Sequence, residues 1–508
     1  MNQNPTVSNS VDDMRLFWGC FIALIATAFG FIARVLTSSD WGREFNLSET
    51  QVGEILGVGL WPFAVSIVLF SLIIDRVGYK SAMWFGLICH SLSTILILAA
   101  KGYWGMYIGT FILALGSGTV EAYINPVVAT MFKREKTKWL NILHAGWPGG
   151  MVLGGLIIVL LLPGLYWKVK IGLILIPTVI YAFILFNKRF PLNERVAAGI
   201  PYKEMLGEVG AIGALIISAL VVREVGRIFL LSNTLQIAFV IVLVGVFWYY
   251  TRSLGRPLYI VLLLIMMLLA TTELGVDSWI TPLMETEMGK LGLNAGWVLV
   301  YTSAIMATLR FFAGPLVHRL SPLGLLAVCA ALAALGLTFL SKATGIGILL
   351  AATLYGVGKT FFWPTTLGIV SEQFPKGGAL TLNAIAGVGM LAVGIVGSPF
   401  LGNFQDRQID KRLMAYDQSN NTQYHEEYIT SEKKSVFGSY LSLDQNRIAA
   451  APVEEKDVIM NIQNKAQKGA LATVAIFPLI MFLCYIGLIL YFRSKGGYKP
   501  VILTSGNE

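Results

Sequence analysis

Apolar residues in this chain come in long unbroken runs, separated by short polar connections. Runs fall near 16–37, 52–74, 82–100, 104–131, 139–162 and 169–187. A polar stretch from Lys188 to Lys203 follows, carrying Pro191, Pro201 and four basic residues. Beyond it lie runs at 205–222 and 228–250, then 257–283, 295–317, 322–341, 345–371, 379–402 and 469–492. One helical crossing of a bilayer takes ~20 apolar residues. The pattern therefore predicts an all-α polytopic membrane protein whose crossings are grouped six, two and six.

Composition agrees and narrows the class. Of the 508 residues, 56% are hydrophobic and 13% charged, with a mean hydropathy of +0.69. A soluble domain carries about 25% charged residues, so a water-soluble globule, a disordered chain and a small disulfide scaffold are excluded. Cys20, Cys89, Cys329 and Cys484 each lie alone in an apolar run, with no CxxC pair for a metal or a disulfide framework. The first fourteen residues are polar and hold Asp12 and Asp13 but no Lys or Arg. The first run thus reads as a retained helix rather than a signal peptide.

The net charge of +9 matters through its placement. With the N-terminus in the cytoplasm, the short inner connections collect eighteen Lys and Arg and the outer ones eight, as the positive-inside rule requires. Basic loops of this kind are a topology signal and not a nucleic-acid patch. If only one of the runs 205–222 and 228–250 crossed, Arg319, Lys376 and Arg493 would fall outside. Two crossings preserve the parity, so a hairpin turning at Arg223-Glu224-Val225-Gly226-Arg227 is expected, with fourteen helices and both termini cytoplasmic in a cell membrane. The division expected is a six-helix bundle at 1–187, a linker and hairpin at 188–256, and a second bundle at 257–508. Within the last, residues 403–468 form an outer insertion with ten acidic and nine basic residues, read as a solvated cap.

The connection after the second run reads Asp75-Arg76-Val77-Gly78-Tyr79-Lys80, and that after the eighth helix of the six-plus-six core reads Gly314-Pro315-Leu316-Val317-His318-Arg319-Leu320-Ser321. These occupy equivalent places in the two halves. A carboxylate and a guanidinium beside helix ends can clamp neighbouring helices in one state and release them in another. Here the chain resembles the major facilitator superfamily, whose signature is an acid-Arg-x-Gly-Arg/Lys turn between helices two and three, echoed between eight and nine. The second copy has His318 in place of the acid. The resemblance assigns Asp75, Arg76, Gly78, Lys80, Gly314 and Arg319 to an inner gate, with Arg310, four residues before Gly314, as a brace of the second clamp.

The fourth run holds Gly116-Ser117-Gly118-Thr119-Val120-Glu121-Ala122-Tyr123-Ile124-Asn125-Pro126. That is similar to the fucose permease branch of the superfamily, in which a Gly-x-Gly-x-x-Glu-x-x-x-Asn-Pro pattern holds a proton-linked glutamate. Leu140-Asn141 followed by Gly149 and Gly150 also resembles the fifth helix of that branch. The branch places an aspartate in its first helix; this chain has Val35 there, beside Arg34.

The buried charges make an argument of their own. A charged side chain at the bilayer centre costs at least ~2.5 kcal/mol, so it must face a cavity or a partner. Glu121 lies mid-helix with Asn125 one turn on, Glu273 and Asp277 are four apart, Lys359 and Trp363 likewise, and His144 follows Asn141 by one turn. Glu121, Glu273 and Asp277, with Arg34 to balance them, are the expected proton-coupling and cavity residues, Arg34 pairing with Glu121. Asn125, Asn141, His144, Lys359, Trp363 and Asn383 are the expected substrate contacts.

These expectations describe a secondary transporter with a midplane cavity and alternating access. A monosaccharide or similar polyol suits carboxylate, amide and indole groups, and unpaired acids in a dry cavity suit H+ symport, with Na+ as the other cation. The alternatives are a nucleoside or organic-anion transporter clamping its cargo with Arg34 and Lys359, and a sensor built on the transporter fold. No HExxH, GxSxG or Walker loop marks an enzyme. The partners expected are a small solute, a cation and the bilayer, with no nucleic acid, cofactor or metal, and a monomeric state.

Overall fold

The computed structural model describes residues 11–47, 49–162, 164–293, 296–435 and 438–503. Among these, twelve helices are long and apolar enough to cross a membrane: α1 (Met14–Ser38), α2 (Gln51–Val77), α3 (Tyr79–Ala99), α4 (Tyr103–Met131), α5 (Lys136–Leu161), α6 (Trp167–Leu185), α7 (Tyr202–Ile228), α8 (Asn233–Thr251), α9 (Pro257–Gly275), α11 (Ala313–Leu340), α13 (Pro375–Ile395) and α14 (Val453–Ser494). Two further segments complete the series. The 16-residue α10 (Gly296–Phe311) is shorter than a full span, and α12 is split into Gly347–Lys359 and Phe362–Gln373. The order is six, two, six: two six-helix bundles with a hairpin between them.

Small residues set how closely these helices pack, because lipid gives no hydrophobic drive between them and close backbone contact must supply the attraction. A Cβ on Gly118 of α4 would lie 2.2 Å from the carbonyl oxygen of Phe63 in α2. One on Gly336 of α11 would lie 2.4 Å from the backbone nitrogen of Tyr355 in α12. Any larger side chain at either place would push two helices apart.

The hairpin differs from expectation at its tip. Arg223 to Arg227 end α7 as a helical turn, and the bend falls at Phe229–Ser232, with Leu230 at φ 52°. The charges that looked like a loop are satisfied locally. Arg227 pairs with Glu224 at 2.6 Å, and Arg223 donates to Asn233 at 3.2 Å across the bend.

The long insertion is folded rather than a loop. Beyond α13 a helix runs Ser398–Asn420, and a short helix (Tyr424–Tyr428) leads into the antiparallel pair β1 (Ile429–Ser435) and β2 (Gly438–Leu443). Ile409, Leu413, Tyr428, Leu443, Ile459 and Ile462 form a hydrophobic core separate from that of the bundles. Asp417 holds the turn by accepting from the backbone N–H groups of Tyr424 (3.1 Å) and His425 (2.7 Å). Lys468 ties this cap to the helix that continues α9, through Glu287 at 3.0 Å.

Candidate functional site

The face carrying the Asp75 and Lys136 loops is here called the basic face, and the opposite one the cap face. Between them the two halves meet through buried polar groups. In the first half, Asn125 donates through Nδ2 to Glu121 at 2.7 Å and accepts at Oδ1 from Nε2 of His144 at 2.9 Å. All three side chains are buried. Two turns of α4 and one of α5 thus supply a continuous hydrogen-bonded chain.

In the second half, a π-helical turn at Thr271–Gly275 carries Glu273 on α9. Glu273 accepts from Nη2 of Arg310 at 3.0 Å, and both side chains are almost fully buried. One helical turn further, Asp277 accepts from Lys359, which also lies 5.0 Å from the ring centre of Tyr355. Trp363 is buried, its indole packed against Gly389 of α13.

Several contacts run from one half to the other. Asn141 of α5 donates to the hydroxyl of Thr365 in α12 at 3.1 Å, and Asn383 of α13 donates to the carbonyl of Ala122 in α4 at 2.8 Å. The structure therefore joins Glu121 to Asn125 and His144, pairs Asp277 with Lys359 and sets Asn141 and Asn383 on contacts between the halves, while Trp363 packs on α13 and Arg34 lies apart. Among the buried polar atoms without a hydrogen-bond partner in the described residues are Nη1 of Arg34, the Tyr123 hydroxyl, Oδ1 of Asn141, Oδ1 of Asn383 and Oε2 of Glu273.

Two expectations need correction. Arg34 does not pair with Glu121. It stands four residues from the end of α1 and Glu121 eighteen residues into α4 from the same face. At 1.5 Å per residue their depths are about 6 and about 27 Å, beyond the reach of any side chain. Arg34 instead donates to the carbonyl of Gly30 at 2.8 Å and lies over Gly59. Arg310 is no brace of the second clamp. Its guanidinium turns inward to Glu273, away from the surface where Arg319 is exposed.

The basic face is clasped. Lys136, at the start of α5, donates to Glu194 at 2.6 Å and to the carbonyl of Ser371 at 3.0 Å. Glu372, at the end of α12, accepts from the hydroxyl of Thr137 at 2.6 Å and from its backbone N–H at 3.2 Å, capping α5 from the other half. Its second oxygen accepts from Tyr498 at 2.7 Å, a phenol whose pKa burial pushes well above the ordinary range. Asp75 is held by Arg195 of the linker at 2.6 Å and not by Arg76, which lies over the ring of Tyr202 at 5.1 Å. Gly78 takes φ +83° to turn the chain between α2 and α3, while Lys80 is exposed. Gly314 packs against the side chain of Lys138. Glu372, Thr137, Lys136 and Arg195 were not among the residues expected here. Polar groups at helix ends look like ordinary caps until a partner from another segment is seen.

The Major Facilitator Superfamily profile matches residues 19–399. The chain belongs to that family of membrane transporters. It is 26% identical to the hexuronate transporter of Bacillus subtilis over 145 residues, which is 28% of this chain and 34% of that protein. The match thus spans about a third of the relative's length. Among solved structures, the fold is similar to that of a proton:xylose symporter bound to 6-bromo-6-deoxy-D-glucose (TM-score 0.61, 14% identity, covering 94% of this chain and 96% of that one). It is also similar to the fucose:proton symporter of Escherichia coli (TM-score 0.54, 15% identity, 92% and 98%). At these identities the likeness is one of fold.

Proposed function

We propose that this facilitator moves a monosaccharide or a similar small polyol across the cell membrane by H+ symport, with Glu121 as the coupling carboxylate. The observation that carries the reading is the buried Glu121–Asn125–His144 chain, placed against a second half that contributes Glu273, Asp277 and Lys359. Glu121 is a carboxylate in an apolar environment whose direct partner is a neutral amide. Protonation is the simplest way for such a group to shed an expensive charge. The unpartnered oxygens of Asn141, Asn383 and Glu273 suit the hydroxyls of a sugar, and Trp363 suits its apolar face. Two of the proteins that share the fold are, by name, sugar:proton symporters.

A second reading has its own support. Arg34 is buried with an unpartnered Nη1, and the hexuronate transporter takes, by name, a sugar acid. A carboxylate on the cargo would answer that charge. Thermal unfolding of the purified chain with a panel of neutral sugars, sugar acids, nucleosides and organic acids separates the two. Stabilisation by a neutral monosaccharide is expected. Stabilisation by sugar acids alone would move the assignment to the second reading, and by nucleosides alone would end both.

In the orientation proposed, the basic face and both termini are cytoplasmic and the cap lies outside. A thiol introduced in the cap should react with impermeant reagents from outside, and one near Lys133 should not. Coupling is tested by Glu121→Gln, which keeps shape and hydrogen bonding but cannot titrate. Concentrative uptake of the identified sugar should be lost while exchange survives, since exchange needs no net proton movement. Uptake still driven by a pH gradient would refute the role.

A further inference from the structure

Arg310 makes an unusual set of contacts for a side chain in the middle of a membrane protein. Its Nε donates to the carbonyl of Thr360 at 2.7 Å, Nη1 to the carbonyl of His144 at 2.7 Å, and Nη2 to Glu273 at 3.0 Å. Both carbonyls are vacant for the same reason. A helical carbonyl at position i normally accepts from the N–H at i+4. Four residues after His144 stands Pro148, and four after Thr360 stands Pro364, neither of which has an N–H. One vacancy lies in α5 of the first half, the other in α12 of the second. A single buried guanidinium fills both and spends its remaining donor on a carboxylate.

His144 takes part twice. Its ring joins the chain that ends on Glu121, and its carbonyl is held by Arg310. An unbroken path therefore runs Glu121, Asn125, His144, Arg310, Glu273, from α4 of one half to α9 of the other. The charge of Arg310 also reaches Glu121 through space. The titratable groups facing this path are His144 from α5, Glu273 from α9, Asp277 from the helix that continues it, Cys329 from α11, and Tyr355 and Lys359 from α12.

We propose that Arg310 is the positioning residue that transmits the protonation of Glu121 to the second half, serving as the counter-charge shared by Glu121 and Glu273. Neutral Glu121 leaves the guanidinium to Glu273, and the two proline-vacated carbonyls hold it at the seam. Ionised Glu121 competes for the same charge and strains its bond to the carbonyl of His144, the contact that crosses between halves. This rests on the assignment of Glu121 as coupling carboxylate, and the two can fail separately.

The test needs no substrate. In the full chain reconstituted in liposomes, spin labels at Lys133→Cys and Leu320→Cys, both exposed on the basic face of opposite halves, report its opening as pH is stepped from 8 to 5. Wild type should change its label distance with a single midpoint, and Glu121→Gln should show no pH response. Arg310→Gln combined with Glu273→Gln removes a charge pair without leaving either charge buried alone, and it should also lose the response. Arg310→Lys keeps the charge but cannot span three acceptors. It should retain less than half the amplitude, and it serves as the variant of record if the neutral pair does not fold. A merely structural Arg310 would lower the unfolding temperature in either variant yet keep the wild-type midpoint and amplitude. That result, with Glu121→Gln still unresponsive, overturns the proposal alone. A response that persists in Glu121→Gln, or is absent from wild type, overturns the coupling assignment and this proposal with it.

Discussion

The connection between α2 and α3 and the segment that opens α11 hold equivalent places in the two halves, yet they do different work. In the first, Asp75 and Arg195 are both nearly buried, 2.6 Å apart, and the contact joins the first bundle to the linker that follows it. In the second, the acid is replaced by His318, which is largely exposed and lies 3.5 Å from Glu135 of the first half. One site braces a bundle internally. The other touches across the seam and is lightly made. A repeated motif can therefore keep its position while changing from a structural brace to a contact that is easily broken, and burial decides which it is.

The comparison breaks first at the buried end. Arg195→Ala leaves the Asp75 carboxylate without its partner, and removing one member of a buried pair costs about 3–5 kcal/mol. Thermal or denaturant unfolding of the purified chain should show a loss of that order. Asp75→Asn combined with Arg195→Gln should restore most of it. A loss below about 1 kcal/mol in the single variant would place Asp75 with the weak surface pairs instead.

A middle case sharpens the contrast. Glu372 crosses the seam, as His318 does, but its contacts to Thr137 are buried. Charge-assisted bonds of this kind are worth about 1.5–3 kcal/mol, roughly tenfold or more in an opening equilibrium. In Glu372→Gln, a thiol at Ala129→Cys, which lines a small cavity behind the clasp, should react at least about tenfold faster with a reagent supplied to the basic face. Unchanged reactivity would show that Lys136 holds the seam without help from Glu372.

Much of this could be read along the chain, because a bilayer imposes a length and a charge asymmetry that local sequence records. Glu121 and Asn125, one turn apart, were legible for that reason. The vacated carbonyls were legible too, since Pro148 and Pro364 announce them. The group that fills them was not, because Arg310 lies 166 residues from His144 and no local pattern links the two. Asp75 and Arg195, 120 residues apart, escaped for the same reason. The expected pairing of Arg34 with Glu121 failed on depth, which helix position alone would have exposed. The internal fold of the cap was not legible because its core comes from apolar residues scattered among charges, each too short a run to stand out beside a membrane helix.

The smallest effect belongs to the exposed end of the comparison. Burial alone would raise the pKa of Glu135, but hydrogen bonds from Lys138 and His318 outweigh it and hold the carboxyl below the ordinary range. A carboxyl depressed in this way contributes stability that is present above its unfolded pKa and lost as pH falls through the lower folded value. His318→Ala removes one donor and leaves Lys138, 3.0 Å away, and Trp139 in place. The cost should stay below about 1 kcal/mol, as for other exposed pairs, and shrink further in high salt. The difference in unfolding temperature between wild type and His318→Ala should accordingly narrow as pH drops below the carboxylate range, where Glu135 is neutral in both. A larger loss, or one that grows under acid conditions, would mean that His318 works through some contact other than Glu135, and the two equivalent sites would then differ in partner rather than in strength.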